Sequence, residues 1–343
     1  MLELILGTVF LIYILFIGQL IYGCNRMKRF SRKEFTPKTS FSIVVPFRNE
    51  KENLPNLLHS ISLLNYPREL VEVILVDDDS EEVFSVQDLV FSLKVIKNDR
   101  KSNSPKKDAI ETAIQVAKND WIITTDADCL IQKNWLTTFD QYIQENEVAM
   151  LASGVCYVPK SGFLSAFQNL DFLSLQGATI GSFGIEKPFM CNGANFAYSK
   201  AFFKELNGFQ GNEAIASGDD VFLLQKAVSV APKKVGFILA KESIVATKPV
   251  DTWTELFQQR VRWASKSTGY SSVYGKLLAL VVFGGNLAWI MSFLLWLIGL
   301  LEQNIFMLFV ALKFLIDFIL LFKTANFFES KLQYVLASSL LYP

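Results

Sequence analysis

Trp121-Ile122-Ile123-Thr124-Thr125-Asp126-Ala127-Asp128 is the stretch whose reading decides the fold. Its first five residues are aromatic and β-branched and too few for an ordinary helix, so the run is predicted as a buried strand. Residues two apart on a strand point to the same side. Asp126 and Asp128 are therefore expected to converge at the strand's C-terminal end, where open α/β sheets place their ligands. Two converging carboxylates make a hard-oxygen site suited to Mg²⁺ or Mn²⁺, and a cation that keeps open positions can hold a diphosphate. A solvated strand end or a helix N-cap would account for the same residues.

Working outward, the flanking sequence alternates between strand and helix patterns. Phe41–Phe47 reads as a strand, Glu50–Leu64 as a helix with Leu54, Leu57, Leu58 and Ile61 on one face, and Val71–Val76 as a second strand that ends in Asp77-Asp78-Asp79-Ser80. Leu93–Ile96 is a third strand, and Lys106–Lys118 is helical through Ala109, Ile110, Ala113 and Val116. After the central stretch come a helix near Trp135–Glu145 and a strand near Val148–Val158. Repeated βαβ units with mostly apolar strands predict a parallel sheet covered on both faces, with acidic clusters at the strand ends. No GxGxxG or P-loop pattern is present, which disfavours a dinucleotide enzyme or a kinase.

Residues 159–250 read as less regular. Asn192-Gly193-Ala194-Asn195 is turn-like, and Ser217-Gly218-Asp219-Asp220 opens an apolar run as a helix N-terminus does. Capping alone would explain Asp219. The segment with Trp253, Leu256, Phe257, Gln259, Arg260, Arg262 and Trp263 has the aromatic and basic mix of an interfacial helix, or is a plain surface helix.

The chain has 343 residues, is 51% hydrophobic and carries zero formal net charge. Its apolar excess is concentrated in residues 2–22 and beyond residue 277, the layout of a membrane protein with a soluble middle. Zero net charge gives no footing for a nucleic-acid partner. Cys24, Cys129, Cys156 and Cys191 show no CxxC spacing and His59 is the only histidine. A His/Cys zinc site and a Ser-His-Asp triad are disfavoured accordingly, and His59 reads as structural.

Residues 2–22 are almost entirely apolar, and about 20 residues suffice to cross a hydrocarbon core. A signal peptide would want a basic start, a shorter core and a small-residue cleavage site, so a retained anchor is expected. Arg26, Lys28, Arg29, Arg32 and Lys33 follow, which puts that flank in the cytoplasm and the N-terminus outside. Leu277–Leu301 and Ile305–Phe322 read as two further spans, with Lys323 and Lys331 marking the inside again; Leu332–Leu341 is too short to span. Lys313 and Asp317, four apart in the last full span, are expected to pair or to line a pathway.

Four islands then stand in order: Pro46-Phe47-Arg48-Asn49-Glu50; Val76-Asp77-Asp78-Asp79-Ser80; Asp126-Ala127-Asp128; and Gly218-Asp219-Asp220 with Gln259-Arg260-Val261-Arg262-Trp263. Together, on a βαβ domain flanked by membrane spans, they resemble membrane-bound family-2 glycosyltransferases of the GT-A fold, the superfamily of cellulose, chitin and hyaluronan synthases and ceramide glucosyltransferases. The resemblance covers about residues 41–270 by motif. It implies a Rossmann-like, mostly parallel α/β catalytic domain flanked by transmembrane helices.

The resemblance also implies roles. Asp78 matches the aspartate that reads the nucleotide base, with Asp77 beside it, and Pro46, Arg48 and Glu50 lie at the mouth of the nucleotide site. Lys106 falls where the family has a Gly-Lys pair, a partial match because Pro105 precedes it. Asp126 and Asp128 match the metal-and-diphosphate motif. Asp220 matches the catalytic base, with Asp219 before it where Glu is commoner. Gln259, Arg260, Arg262 and Trp263 belong to the motif that holds the acceptor end and the leaving diphosphate. Asp79 replaces the usual Gly and is expected to point away from the nucleotide.

The implied organisation is an N-terminal anchor (1–24), a basic cytoplasmic linker (25–40), a nucleotide-sugar-binding half (41–158), an acceptor-side half (159–250), an interfacial helix (251–275) and a C-terminal membrane region (276–343) with two full spans and a partial one. The implied activity is inverting transfer of a hexosyl unit from a UDP- or GDP-sugar to a lipid or membrane-associated glycan, with Mg²⁺ or Mn²⁺ as cofactor, at the inner or plasma membrane. A processive polysaccharide synthase and a non-catalytic scaffold of the same fold are the alternatives.

Overall fold

In a computed structural model of the chain, residues 1–82, 91–212, 215, 217–265 and 269–330 are described. The chain begins with α1 (Leu2–Arg26), then β1 (Phe41–Phe47), α2 (Leu54–Ser62), β2 (Val71–Asp77), β3 (Ser92–Lys97), α3 (Pro105–Val116) and β4 (Trp121–Thr124). It continues through β5 (Leu130–Ile131), α4 (Trp135–Glu145), β6 (Met150–Ser153), β7 (Val155–Tyr157), α5 (Phe163–Gly184), β8 (Phe196–Ser199) and α6 (Lys200–Glu205). It closes with α7 (Asp219–Val230), β9 (Val235–Ile238), β10 (Val245–Thr247), α8 (Trp253–Ser265), α9 (Val273–Leu297) and α10 (Gln303–Phe327).

These elements form two compact units. One comprises residues 28–158 and 190–271, the other residues 1–27, 159–189 and 272–343. The first holds a seven-stranded sheet in the order β3-β2-β1-β4-β8-β6-β9. β1 pairs in parallel with β2 and β4, β2 with β3, and β6 with β9; only β8 runs antiparallel to its neighbours. The sheet is therefore mostly parallel, as the apolar strands predict. Ile43, Val44, Val45, Val73, Ile74, Leu75, Ile122 and Ile123 are fully buried, which is why these strands do not alternate with polar residues. The chain runs outward from β1 to β3 and returns to β4 on the other side of β1. The sheet thus has its topological switch point between β1 and β4, where such folds open a ligand crevice.

The strand expected over Val148–Val158 is two strands. β6 belongs to the main sheet and β7 to a three-stranded sheet in the order β5-β10-β7. Gly154 sits at the break, and its carbonyl accepts from the side chain of Asn195 at 2.8 Å. The helix expected from Glu50 starts at Leu54, because Pro55 in the first turn brings no N–H to an earlier turn.

The basic stretch before β1 is pinned to α4. The backbone N–H groups of Lys38 and Thr39 donate to the fully buried Asp140, as does the Tyr66 hydroxyl, and Lys33 N–H donates to Gln141.

The second unit is helical: α1, α5, α9 and α10. α1, α9 and α10 are each 25 residues long and apolar enough to cross a membrane. α5 overturns the expectation of irregular structure after residue 159. Its apolar residues follow no clear helical stripe and it carries Gly177, Gly181 and Gly184, so periodicity and propensity both fail to show it. Those glycines let backbones touch. A Cβ on Gly184 would stand 2.0 Å from the Gly23 carbonyl oxygen, and one on Gly181 would stand 2.5 Å from that of Leu20. Residues 159–189, grouped by sequence with the acceptor-side half, thus cluster with the helical unit.

Lys313 and Asp317 pair at 2.8 Å on α10, and the Tyr13 hydroxyl of α1 donates to the same carboxylate at 2.7 Å. A full set of partners is what makes charges tolerable at membrane depth. Lys331 and the run Leu332–Leu341 lie outside the described residues.

Candidate active site

The first wall of the site is built where β1 and β2 end. Asp78 N–H donates to the Phe47 carbonyl at 2.8 Å, and Ser80 N–H to Asp77 Oδ1 at 3.0 Å, which fixes the turn after β2. The Asp78 carboxylate is gripped by Arg100 through Nε at 2.6 Å and Nη2 at 2.8 Å, and by Asn98 at 2.6 Å. Burial pushes this carboxyl up, but the Arg100 and Asn98 hydrogen bonds and the charges of Arg100 and Arg48 outweigh it and hold it below the usual range. Asp78, Asp79, Lys97, Asn98 and Arg100 line an open recess. Asp79 adopts φ +67°, the left-handed conformation for which glycine is the easy choice, and its exposed carboxylate pairs with Lys97 at 3.4 Å. Pro46 is half-buried on β1, and Arg48 is exposed beyond it.

The central carboxylates follow. β4 stops at Thr124, so Asp126 and Asp128 sit in the turn beyond the strand instead of on its face. Asp128 is held by the Thr247 hydroxyl at 2.9 Å. Burial raises its carboxyl, and the charges of Asp126 and Glu50 add to the rise against the Thr247 hydrogen bond. Lys106, in the first turn of α3, reaches Asp126 Oδ1 at 2.6 Å and Asp219 Oδ2 at 3.8 Å. Burial lowers this ammonium, but the two carboxylates outweigh burial and hold it above its ordinary value.

Asp219 and Asp220 open α7 after Gly218, whose φ of +84° makes the left-handed entry. The Thr124 hydroxyl donates to the Gly193 carbonyl at 2.6 Å, and Gly193 N–H donates to Asp220 Oδ2 at 2.8 Å. Asp220 is thereby tied, through one turn residue, to the strand that delivers Asp126 and Asp128. The Asn192–Asn195 turn is itself rigid. Asn195 is fully buried, donates to the Gly154 and Ser243 carbonyls and accepts from the Trp135 indole.

On α8, the Arg260 guanidinium lies 4.3 Å from the Trp263 ring centroid and hydrogen-bonds Gln259. Arg262 is exposed. Among the described residues, neither Gln259 nor Arg262 is bonded to the carboxylates of the site. His59 lies exposed on α2.

Residues 42–206 match the Glycosyl transferase family 2. The chain carries a family-2 glycosyltransferase domain. Among curated relatives, a probable glycosyltransferase of Sulfolobus acidocaldarius is 26% identical over 149 residues, 40% of this chain and 31% of that one. Glycosyltransferase AglE of Haloferax volcanii is 22% identical over 227 residues, 64% of this chain and 70% of that one. The chain thus spans about a third of the first relative's length and more of the second's. Among solved structures, the mannosyltransferase PcManGT of Pyrobaculum calidifontis, in complex with GDP-Man and Mn²⁺, superposes over 100% of this chain and 99% of its own with a TM-score of 0.61 at 15% identity. That likeness establishes the GT-A fold. The narrower kinship with cellulose, chitin and hyaluronan synthases and ceramide glucosyltransferases is not carried by these matches.

Three features of the candidate site escaped the sequence. Arg100 and Asn98 lie outside the four motif islands, yet they hold Asp78. Lys107 is almost fully buried; its ammonium donates to the carbonyls of Asn212 at 2.6 Å and Ile215 at 2.9 Å and stands 5.0 Å from the Phe222 ring centroid. It therefore staples the segment that leads into α7. Tyr270 stacks edge-on against Phe222, and burial, with the Asp220 charge next, raises its hydroxyl. A buried lysine next to a motif lysine gives no sequence signal of its own, because solvated lysines share that pattern.

Among the described residues, no group of three or more His, Cys, Asp or Glu converges into a closed cation site. Asp126 and Asp128 offer a two-carboxylate edge, and burial first, with the Asp126 charge next, raises the Asp128 carboxyl. That donor set fits a hard divalent cation whose remaining positions go to water and phosphate oxygens.

Proposed function

We propose that the glycosyltransferase moves a hexosyl unit from a nucleoside-diphosphate sugar to a lipid or membrane-associated glycan, with inversion in a single displacement. The observation that supports this is the chain of contacts from Thr124 through Gly193 to Asp220, which ties the Asp220 carboxylate to the strand that leads into the Asp126–Asp128 turn. Expulsion of a nucleoside diphosphate from an anomeric carbon concentrates negative charge on the leaving group. Asp126 and Asp128 would hold Mg²⁺ or Mn²⁺ there, and the bound cation supplies Lewis-acid neutralisation of the diphosphate. Arg48 and the Asp78–Arg100 pair face the nucleotide, with Pro46, Glu50 and Asp77 at the rim. Asp220 takes the proton of the acceptor hydroxyl, worth about 10²–10⁴ in rate. Asp219 keeps Lys106 and the start of α7 in register. With one base and no second nucleophilic carboxylate required, the product has inverted configuration.

The donor is a UDP- or GDP-sugar. GDP-mannose, carried by the full-length fold neighbour PcManGT, heads the panel to be tried. The motif residues of α8, Gln259, Arg260, Arg262 and Trp263, serve the acceptor end and the departing diphosphate. The Arg260–Trp263 stack gives that surface an aromatic face beside a cation.

The three candidate spans hold the catalytic unit at a membrane, with the N-terminus outside and the sheet in the cytoplasm, a reading the basic run Arg26–Lys33 supports.

The test is turnover by the full chain in lipid nanodiscs, across UDP- and GDP-sugars, with Mg²⁺ or Mn²⁺ and with chelator. The expected result is metal-dependent release of one nucleoside diphosphate and a product of opposite anomeric configuration. Absence of turnover with every donor, together with absence of metal-dependent nucleotide binding, would establish a non-catalytic scaffold instead.

A further inference from the structure

We propose that Lys106 is a resident counter-ion of the site, displaced jointly by the divalent cation and the donor's diphosphate, so that each of the two ligands needs the other. The inference rests on the donor-and-metal reading above and adds to it an order of charge exchange. Asp126 Oδ1, an oxygen the cation would use, already accepts from the Lys106 ammonium at 2.6 Å. A cation at roughly 2.1 Å from that oxygen would stand beside this ammonium as a like charge.

Lys106 can give way. It sits in the first turn of α3 on a flexible four-carbon stem and its side chain is about one-third exposed. Its other carboxylate contact among the described residues, Asp219 at 3.8 Å, is long, so retreat towards Asp219 recovers part of what is lost at Asp126. A cation arriving alone must evict the ammonium with no new partner to offer it. A diphosphate arriving alone meets Asp126 and Asp128 with one lysine to screen them. Arriving together, the cation takes the carboxylates and the diphosphate oxygens take the ammonium. All opposite charges then stay paired. Coupling of this kind is reciprocal: the diphosphate tightens the metal by the factor with which the metal tightens the diphosphate.

The experiment is Mn²⁺ binding to the full chain in nanodiscs, read by electron paramagnetic resonance, with and without inorganic pyrophosphate. Free Mn²⁺ is corrected for the complex that pyrophosphate forms in solution. The wild type, Lys106→Met, Lys106→Gln and the control Asp126→Asn are compared. In the wild type, pyrophosphate is expected to tighten Mn²⁺ roughly tenfold, equivalent to ~1.4 kcal/mol. Both Lys106 variants are expected to bind Mn²⁺ alone roughly fivefold or more tighter than the wild type, with the coupling cut back to what direct ligation of the metal by pyrophosphate supplies, while Asp126→Asn binds more weakly throughout. Equal Mn²⁺ affinity in the wild type and the Lys106 variants would overturn the counter-ion role and leave the metal site standing. Failure of every form to bind Mn²⁺, even with pyrophosphate, would overturn the metal reading itself. Should neither variant fold, the wild type decides alone: bound Mn²⁺ that pyrophosphate does not tighten refutes the exchange.

Discussion

Replacement of Lys107 by Met keeps most of the stem's volume and removes the ammonium. Two charge-assisted hydrogen bonds go with it, to the carbonyls of Asn212 at 2.6 Å and Ile215 at 2.9 Å, along with the approach to the Phe222 ring at 5.0 Å. Bonds to charged groups contribute about 1.5–3 kcal/mol each. Against this stands the relief of no longer burying a cation. The balance is a loss of about 2–4 kcal/mol. It should appear first in the segment before α7, because that is what the ammonium holds. The assay pairs thermal unfolding in nanodiscs with steady-state kinetics. Lys107→Met is expected to lower the midpoint and to cut kcat about tenfold or more with little change in donor KM, since Asp220 depends on that segment and the nucleotide wall does not. Lys107→Arg, which keeps the charge, should recover part of both. A Lys107→Met protein that unfolds within about 0.5 kcal/mol of the wild type with unchanged kcat would refute the reasoning.

Gly193→Ala places a Cβ 3.0 Å from Asp219 Oδ2, so that carboxylate, next to Asp220 at the start of α7, must shift by a few tenths of an ångström. Misplacement of a catalytic group is costly, and kcat should fall roughly 10–100-fold with unfolding nearly unchanged; an intact kcat would contradict the positioning role. Gly184→Ala drives a Cβ to 2.0 Å from the Gly23 carbonyl oxygen, whereas Gly7→Ala meets nothing within 4 Å. The first should cost about 1–3 kcal/mol or more and the second almost nothing, read as midpoints in the same detergent. The Asp78 carboxyl is held low by its Arg100 and Asn98 partners. Its contribution to stability is therefore fully present above about pH 3.9, the ordinary aspartate value. It is lost as pH falls through the lowered folded-state value. Asp78→Asn should flatten that acid limb, measured by unfolding at pH 2–6, and an unaltered limb would assign the loss to other carboxylates.

The parallel core of the sheet was legible because both faces of β1, β2 and β4 are buried, which leaves uninterrupted apolar runs that only a strand of that length explains. Asp78, Asp126, Asp128 and Asp220 could be singled out as candidates because carboxylates at strand and helix ends stand out against such runs. The rest was hidden for definite reasons. Helix α5 forms by backbone contact through glycines, which single-sequence propensity counts against a helix. The Asn192–Asn195 cluster reads as a turn, and nothing local shows that Gly193 N–H faces Asp220, 27 residues on. Asp140 looks like an ordinary helix-surface acid until the stretch before β1 folds over it. Arg100 and Lys107 are cations among many, and only long-range packing selects them. Asp79 was expected to turn from the nucleotide; its carboxylate pairs with Lys97, and both line the same recess as Asp78.

The central claim is that Asp220 is the base of a metal-dependent sugar transfer whose donor is held elsewhere. Its most direct test is a comparison of wild type and Asp220→Asn, with the active donor, in turnover and in donor affinity under the same metal. Loss of about 10²–10⁴ in kcat with donor affinity kept within a few-fold is the predicted result. Turnover that survives in Asp220→Asn would contradict the assignment and return the search for the base to the remaining carboxylates of the site.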